Sequence, residues 1–351
     1  MRAREFLKEL QNLDDIKNNI VQSITPIFNI DELNKIYSYI KKVDIGKGFD
    51  EIFNKDQDLK QIHSTLSRAV IDANGTFEEK MAFANELSNI GVVDANMLLN
   101  PNVPQNIKDI TVTDYPNMLQ QIMPELLNIA GAYSSGKTKT NRGKGEFFLA
   151  ICSPEISMSK NEGDLIVNGQ PVEVKGNLAR IKGRKGYGTT DAAYTQVKKS
   201  VDQFLKENLP QVAAPQFVVT IGAKSNFWSA FGPFCIQQGL QPNVVVEFIK
   251  EKLKIIVRSL YLTLDNNSVE TLQSTINEQG VLDFAQFTPI IKEIAFAYYQ
   301  AADKFLGILF INSNNLNFIY IDNPQSFAQQ IKIKAFGFET GQQNGMQITI
   351  K

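Results

Sequence analysis

At 351 residues the chain is too long for one ordinary domain, and two or three are expected. With 43% hydrophobic residues it can bury a sizeable core, which excludes disorder as its default state. No apolar run approaches the ~18 residues that a bilayer crossing needs. The opening MRAREFLKELQNLDD is charged where a secretory leader would be apolar, so a soluble intracellular protein is expected. Cys152 and Cys235 are too few for a disulfide framework or a thiolate zinc site and read as small buried apolar groups. The single histidine, His63, excludes zincin sites, histidine-metal nuclease sites and phosphorelay pairs. Hydrolytic chemistry here would rest on carboxylates, lysine and a hard metal ion. The net charge of −1 is unevenly spread: residues 134–200 hold twelve Lys/Arg against six Asp/Glu, and the remainder holds 24 against 31. A basic segment inside an acidic chain points to one face for a polyanion.

Residues 1–130 read as a helical region. Phe6, Leu10, Leu13, Ile16, Ile20 and Ile24 recur three or four apart, as one buried helix face requires. Similar faces run Leu33, Ile36, Ile40; Leu59, Ile62, Leu66, Val70 around His63; Phe77, Met81, Ala84, Leu87; and Leu119, Ile122, Leu126, Ile129. The stretch Asn100–Pro104 breaks the helical pattern.

The segment Gly131–Thr138 (GAYSSGKT) matches the phosphate-loop expression, which needs a buried strand before it and a helix after it. The period before it is helical, and the glycines that follow make a poor first helical turn. The preferred reading is a basic linker. A P-loop NTPase is the lesser alternative, with FIYID ending at Asp322 as an imitation of its acidic strand.

From residue 131 to about 225 a second domain is expected. GEFFLAI opens a short apolar helix, and a strand fits near Ala150–Met158. DLIV and PVEVK read as strands joined by Asn168-Gly169, the dipeptide most typical of a tight hairpin. A Gly/Lys/Arg-rich loop covers Gly176 to Thr190. Then comes a helix with Ala193, Val197, Val201 and Phe204 inward and Lys198, Lys199 and Lys206 outward, and QFVVTIGA (216–223) reads as a buried strand. Residues 226–351 form a third region, helical at 243–263 and 282–303. Its strands LGILFIN, NFIYID, IKIKAFGF and GMQITIK extend the sheet or build a small subdomain.

The hairpin carries the chemistry. With Asn168-Gly169 as its loop, Val167 pairs with Gln170, Ile166 with Pro171, Leu165 with Val172 and Asp164 with Glu173, which sets two carboxylates ~5 Å apart. Strand side chains alternate, so Lys175 shares the face of Glu173. Facing acids repel, and a divalent cation reverses the sign of that interaction. Mg²⁺ suits such a site because it takes oxygen ligands, and Mn²⁺ could substitute for it. The lysine would orient or help deprotonate a water aimed at phosphorus. Glu146, opening the preceding helix, could join from the side.

At these residues the chain resembles the PD-(D/E)XK nuclease superfamily. The family pattern, an acid on a first helix, Asp on the second core strand and Glu-x-Lys on the third, falls on Glu146, Asp164 and Glu173-Val174-Lys175. Gly163 stands where the name's proline would be. The resemblance covers roughly residues 143–223. It implies an α/β fold with a restriction-endonuclease-like αβββαβ core, Mg²⁺ dependence and phosphodiester hydrolysis leaving a 5′-phosphate. Asp164, Glu173 and Glu146 would be the metal-binding acids of the catalytic set, with Lys175 completing it. Lys139, Arg142 and Lys144 before the site, and Arg180, Lys182, Arg184 and Lys185 after it, would hold DNA phosphates. The expected activity is a DNA endonuclease of restriction or phage DNA-processing type. It would act in the cytoplasm, an infected host or a phage particle, and a homodimer would allow both strands to be cut. The alternative is a non-catalytic nuclease-like module that binds DNA or assembles a phage particle.

Overall fold

The computed structural model describes residues 63–132, 143–176, 179–182, 189–221, 225–261, 264–312, 314–336 and 345–350, with isolated positions between Asp31 and Ile45. The helix faces expected at Phe6–Ile24 and at Leu33–Ile40 lie outside these residues, as does the beginning of the His63 face. The chain divides into two compact units. Met1–Asp94 with Thr111–Ser157 forms one, and Ala95–Ile110 with Met158–Lys351 forms the other. The division therefore falls at Ser157/Met158 and around a short excursion, and not at residues 130 and 225.

In the first unit, α1 (His63–Asp72), α2 (Phe77–Asn89), α4 (Pro116–Ala132) and α5 (Lys144–Cys152) are the described helices. Their interior sides follow the spacings read from sequence: Leu66 and Val70, Ala84 and Leu87, and Leu119, Ile122 and Leu126 are buried. Helix α2 starts in a capping box, Thr76 accepting the Glu79 N–H while Glu79 accepts the Thr76 N–H. Buried Glu86 accepts the Thr113 hydroxyl and the Asp114 N–H, both at 2.8 Å, and so pins the loop that re-enters this unit. Helix α5 packs on α4 and is buried from Glu146 to Cys152.

The second unit is a mixed α/β body. The excursion contributes α3 (Ala95–Leu98) and β1 (Gln105–Asn106). The remaining strands are β2 (Ile156–Met158), in which the chain passes between units, β3 (Leu165–Val167), β4 (Gln170–Lys175), β5 (Arg180–Lys182), β6 (Gly307–Ile311), β7 (Asn317–Ile321), β8 (Ile331–Phe336) and β9 (Gly345–Ile350). One sheet has the order β1-β7-β6-β4-β3-β2 and a second the order β5-β9-β8. Strand β4 runs antiparallel to β3 and parallel to β6, and β6 runs antiparallel to β7.

Parallel neighbours need a crossover connection, and here it is long. It contains α6 (Thr189–Asn208), a π-turn over Phe227–Phe231, α7 (Gly232–Gln237), α8 (Pro242–Leu260), α9 (Asn266–Gln273) and α10 (Phe284–Asp303), and α11 (Pro324–Gln330) follows β7. Their apolar faces build one core that includes Val197, Val201, Trp228, Phe231, Ile249, Leu253, Phe296 and Tyr299. Both long C-terminal helices read from sequence are present, and Lys198, Lys199 and Lys206 are exposed on α6. Cys152 and Cys235 are free and buried, and burial pushes both thiols up to about 12.

Two expectations are corrected. Residues 216–221 form no strand, although Phe217, Val219 and Ile221 are buried at alternate positions. The place beside β4 is taken by GILFI of β6, buried at all five positions. The segment expected as a loop after Gly176 contains β5, because Ile181 is 1% exposed and its strand pairs with β9. Among the described residues no helix is long and apolar enough to cross a membrane.

Trp228, the only tryptophan, is fully buried in the same core as Leu253, so its fluorescence reports the second unit. Leu253→Ala is expected to cost about 2–5 kcal/mol, read as a lower urea midpoint of the tryptophan transition. An unchanged midpoint would remove Leu253 from the core.

Candidate active site

The hairpin forms in the register the sequence dictates: Val167 pairs with Gln170, Ile166 with Pro171 and Leu165 with Val172. Asn168 and Gly169 both take positive φ, 50° and 77°, which two-residue hairpin turns demand. One pair further on, the ladder changes. Asp164 donates its N–H to the Val172 carbonyl at 2.9 Å, and its carboxylate Oδ2 accepts the Val174 N–H at 3.0 Å. The side chain thus replaces a backbone partner at the end of β3. Gly163 makes the approach possible: at φ +62° it lies against Val172, where a Cβ would stand 2.8 Å from the carbonyl oxygen.

Asp164, Glu173 and Lys175 converge. The Lys175 ammonium donates to Glu173 Oε1 and stands 3.7 Å from Asp164 Oδ2. Exposure is graded across the three: the side chains of Asp164, Lys175 and Glu173 are 29%, 15% and 4% exposed. A fourth residue completes the group. Tyr299, on α10, donates its hydroxyl to the same Oε1 of Glu173, and its ring lies under the Lys175 ammonium, 5.4 Å from centroid to Nζ. The end of α10 holds the hairpin as well, since the Asp303 carbonyl accepts the Gly163 N–H at 3.0 Å.

Burial pushes the Glu173 carboxyl above its ordinary range; the Lys175 ammonium opposes that shift, the Asp164 carboxylate adds to it, and the hydrogen bonds from Lys175 and Tyr299 oppose it. Burial and the facing Glu173 carboxylate push the Tyr299 hydroxyl far up, so it stays a donor.

Tyr299 was missed by sequence reasoning. The spacing of Ile291, Ala295, Phe296 and Tyr299 marks an inward helix face, and a buried tyrosine needs a partner for its hydroxyl. That partner lies 126 positions earlier in the chain.

Glu146 belongs to the first unit. It opens α5, is 6% exposed, and its Oε1 accepts the Gly143 N–H at 2.6 Å. That bond closes the helix N-terminus, and a Cβ at Gly143 would meet the same oxygen at 2.6 Å. Of the residues expected to hold DNA, Lys144 starts α5 in the first unit, while Arg180 and Lys182 lie in β5 of the second. Lys139, Arg142, Arg184 and Lys185 lie outside the described residues. The residues before the phosphate-loop match form helix α4, ending at Ala132, where that motif requires a strand.

Asp164 and Glu173 both lie against the Lys175 ammonium, and their carboxylate oxygens are the hard donor type that a divalent cation of the magnesium class takes. Comparison with protein-family models, with curated proteins and with solved structures found no match to this chain.

Tyr299→Phe keeps the ring and removes one donor from a buried carboxylate. A loss of about 1.5–3 kcal/mol is expected from the urea midpoint, the range for bonds to charged groups; no loss would place the hydroxyl outside the network. The raised Glu173 carboxyl also sets a pH dependence. The folded chain holds this proton more tightly than the unfolded chain, so the group's contribution to stability is fullest below 4.5 and is lost as pH rises through the raised value. In metal-free buffer, Glu173→Gln should lose stability less steeply with rising pH than the parent chain; identical slopes would contradict the shift.

Proposed function

We propose that the chain is a Mg²⁺-dependent DNA endonuclease of the PD-(D/E)XK type. The observation that carries the reading is the meeting of Asp164, Glu173 and Lys175 at one point of a hairpin whose register the sequence sets independently. The chain order also supports it: with β5 set apart in the second sheet, helix α5, strands β2, β3 and β4, a helical crossover and parallel strand β6 follow the αβββαβ succession. The succession is filled differently from the sequence expectation, because β6 takes the last position.

Asp164 and Glu173 are the acids that would hold the metal. When bound, it would supply charge neutralisation for the acids and for a scissile phosphate, and acidify a water. Lys175, between the carboxylates and partly exposed, orients the attacking water and stabilises the charge that develops at phosphorus. Tyr299 fixes the rotamer of Glu173 through its hydroxyl, as outer partners fix metal-binding carboxylates. Glu146 keeps an assisting role on the resemblance alone.

A second reading rests on one observation: Glu173 is already satisfied by Lys175 and Tyr299, as it would be in a purely structural ion-pair network. That chain would hold DNA, or assemble with it, without cutting. Supercoiled plasmid with Mg²⁺ or Mn²⁺ separates the two. Nicking by the parent chain is expected, with Lys175→Ala and Glu173→Ala lower by about a hundredfold or more. Retardation without nicking, or undiminished nicking by either folded variant, would remove the enzymatic assignment.

A further inference from the structure

The second sheet, β5-β9-β8, has an inner and an outer face of different chemistry. Ile181, Ile331, Met346 and Ile348 are buried in the core of the second unit, and β5 packs against α10. The register sets Arg180 opposite Gln347 and Lys332 opposite Thr349, positions that alternate with those buried residues. Arg180 and Lys332 therefore share the outer face, where Lys332 is exposed and Arg180 half-buried. Two strand spacings and two residues of rise separate them by ~12 Å. The three strands hold Arg180, Lys182, Lys332 and Lys334 and no acidic residue, in a chain whose net charge is −1.

We propose that this outer face is a docking surface for the sugar-phosphate backbone of duplex DNA, with Lys332 of the C-terminal hairpin and Arg180 of β5 as its anchors. Charge complementarity names the occupant: a duplex presents a negative charge every ~1.7 Å of its axis, and cations on a firm pleated face meet several at once without reading sequence. The chain joins this face directly to the candidate active site, since β5 begins five residues after Lys175. A backbone held on β5 is thereby tied to the strand that carries Glu173 and Lys175. The proposal deepens the nuclease reading and rests on it for the choice of DNA, but binding can be measured without cleavage.

The test uses the full chain carrying Lys175→Ala, in EDTA, with fluorescence anisotropy of a labelled 30-base-pair duplex at several salt concentrations. Adding Arg180→Ala and Lys332→Ala should weaken binding by on the order of tenfold and lower the slope of log affinity against log salt by about two, one for each lost phosphate contact. Lys332→Glu alone, a charge reversal at an exposed position, should weaken binding without shifting the melting temperature. Lys250→Ala with Lys254→Ala, on α8, should leave affinity and slope nearly unchanged. Affinity and slope unmoved in the Arg180/Lys332 variants, or an equal loss in the α8 control, would overturn the proposal. Equal affinity for a single-stranded RNA with the same dependence on Lys332 would overturn the DNA assignment. If the parent chain binds through Arg180 and Lys332 yet fails to nick plasmid, the enzymatic reading falls and the surface stands.

Discussion

The second unit is organised around a carboxylate that water scarcely reaches. Glu173 is 3% exposed in the middle of a sheet whose neighbouring positions are apolar, and an isolated charge there would cost several kcal/mol. Two donors meet that cost, one from its own strand and one from α10. Each also acts on the other, because the Tyr299 ring lies against the Lys175 ammonium. The polar group is thus held by two residues that are themselves largely buried, the condition under which a buried network rigidifies its surroundings.

This arrangement explains why the crossover ends as it does. Helix α10 terminates at Asp303, Lys304 takes a left-handed φ of 53°, and the chain turns into β6 beside β4. The turn is fastened at both ends: the Asp303 carbonyl to Gly163 at the start of the hairpin, and the Leu306 N–H to the Pro171 carbonyl of β4. Tyr299 lies one helical turn before these contacts, so the bonds that place β6 in the sheet also fix the height at which the tyrosine meets Glu173. The contacts that set the sheet therefore also set the site.

The parts legible in the sequence are those set by neighbours a few residues apart. Asn168-Gly169 fixes the turn, the turn fixes the register, and the alternation of β4 then places Lys175 beside Glu173. Apolar spacing located α4, α8 and α10 for the same reason. What could not be read depends on competition between distant segments. QFVVTIGA has the alternation of a strand, and GILFI has five consecutive positions able to lie inside a sheet; only the fold decides which pairs with β4. Asp164 is an intermediate case. Sequence put it opposite Glu173, whereas its side chain accepts the Val174 N–H and ends the ladder, an option open to a short carboxylate beside a positive-φ glycine. The partner of Tyr299 lay beyond any local rule, and β5 escaped because three residues with a single apolar position, Ile181, carry no periodic signal.

The inequality of the two acids gives the proposed site a direction. Asp164 is several times more exposed than Glu173, and Lys175 lies between them in exposure as in space. The dry acid accepts the Tyr299 hydroxyl and is the one whose charge the protein opposes by burial. The wetter acid accepts the Val174 N–H, which fixes its carboxylate in azimuth. Under the nuclease reading, substrate and water then approach from the Asp164 side, across the Lys175 ammonium, while Glu173 contributes charge from a position solvent does not share. A symmetric pair of exposed acids would offer no such gradient. A pair buried alike would repel until one of them took up a proton. The grading sets one acid in the core and the other toward solvent, and the buried one depends on a tyrosine from a helix far along the chain.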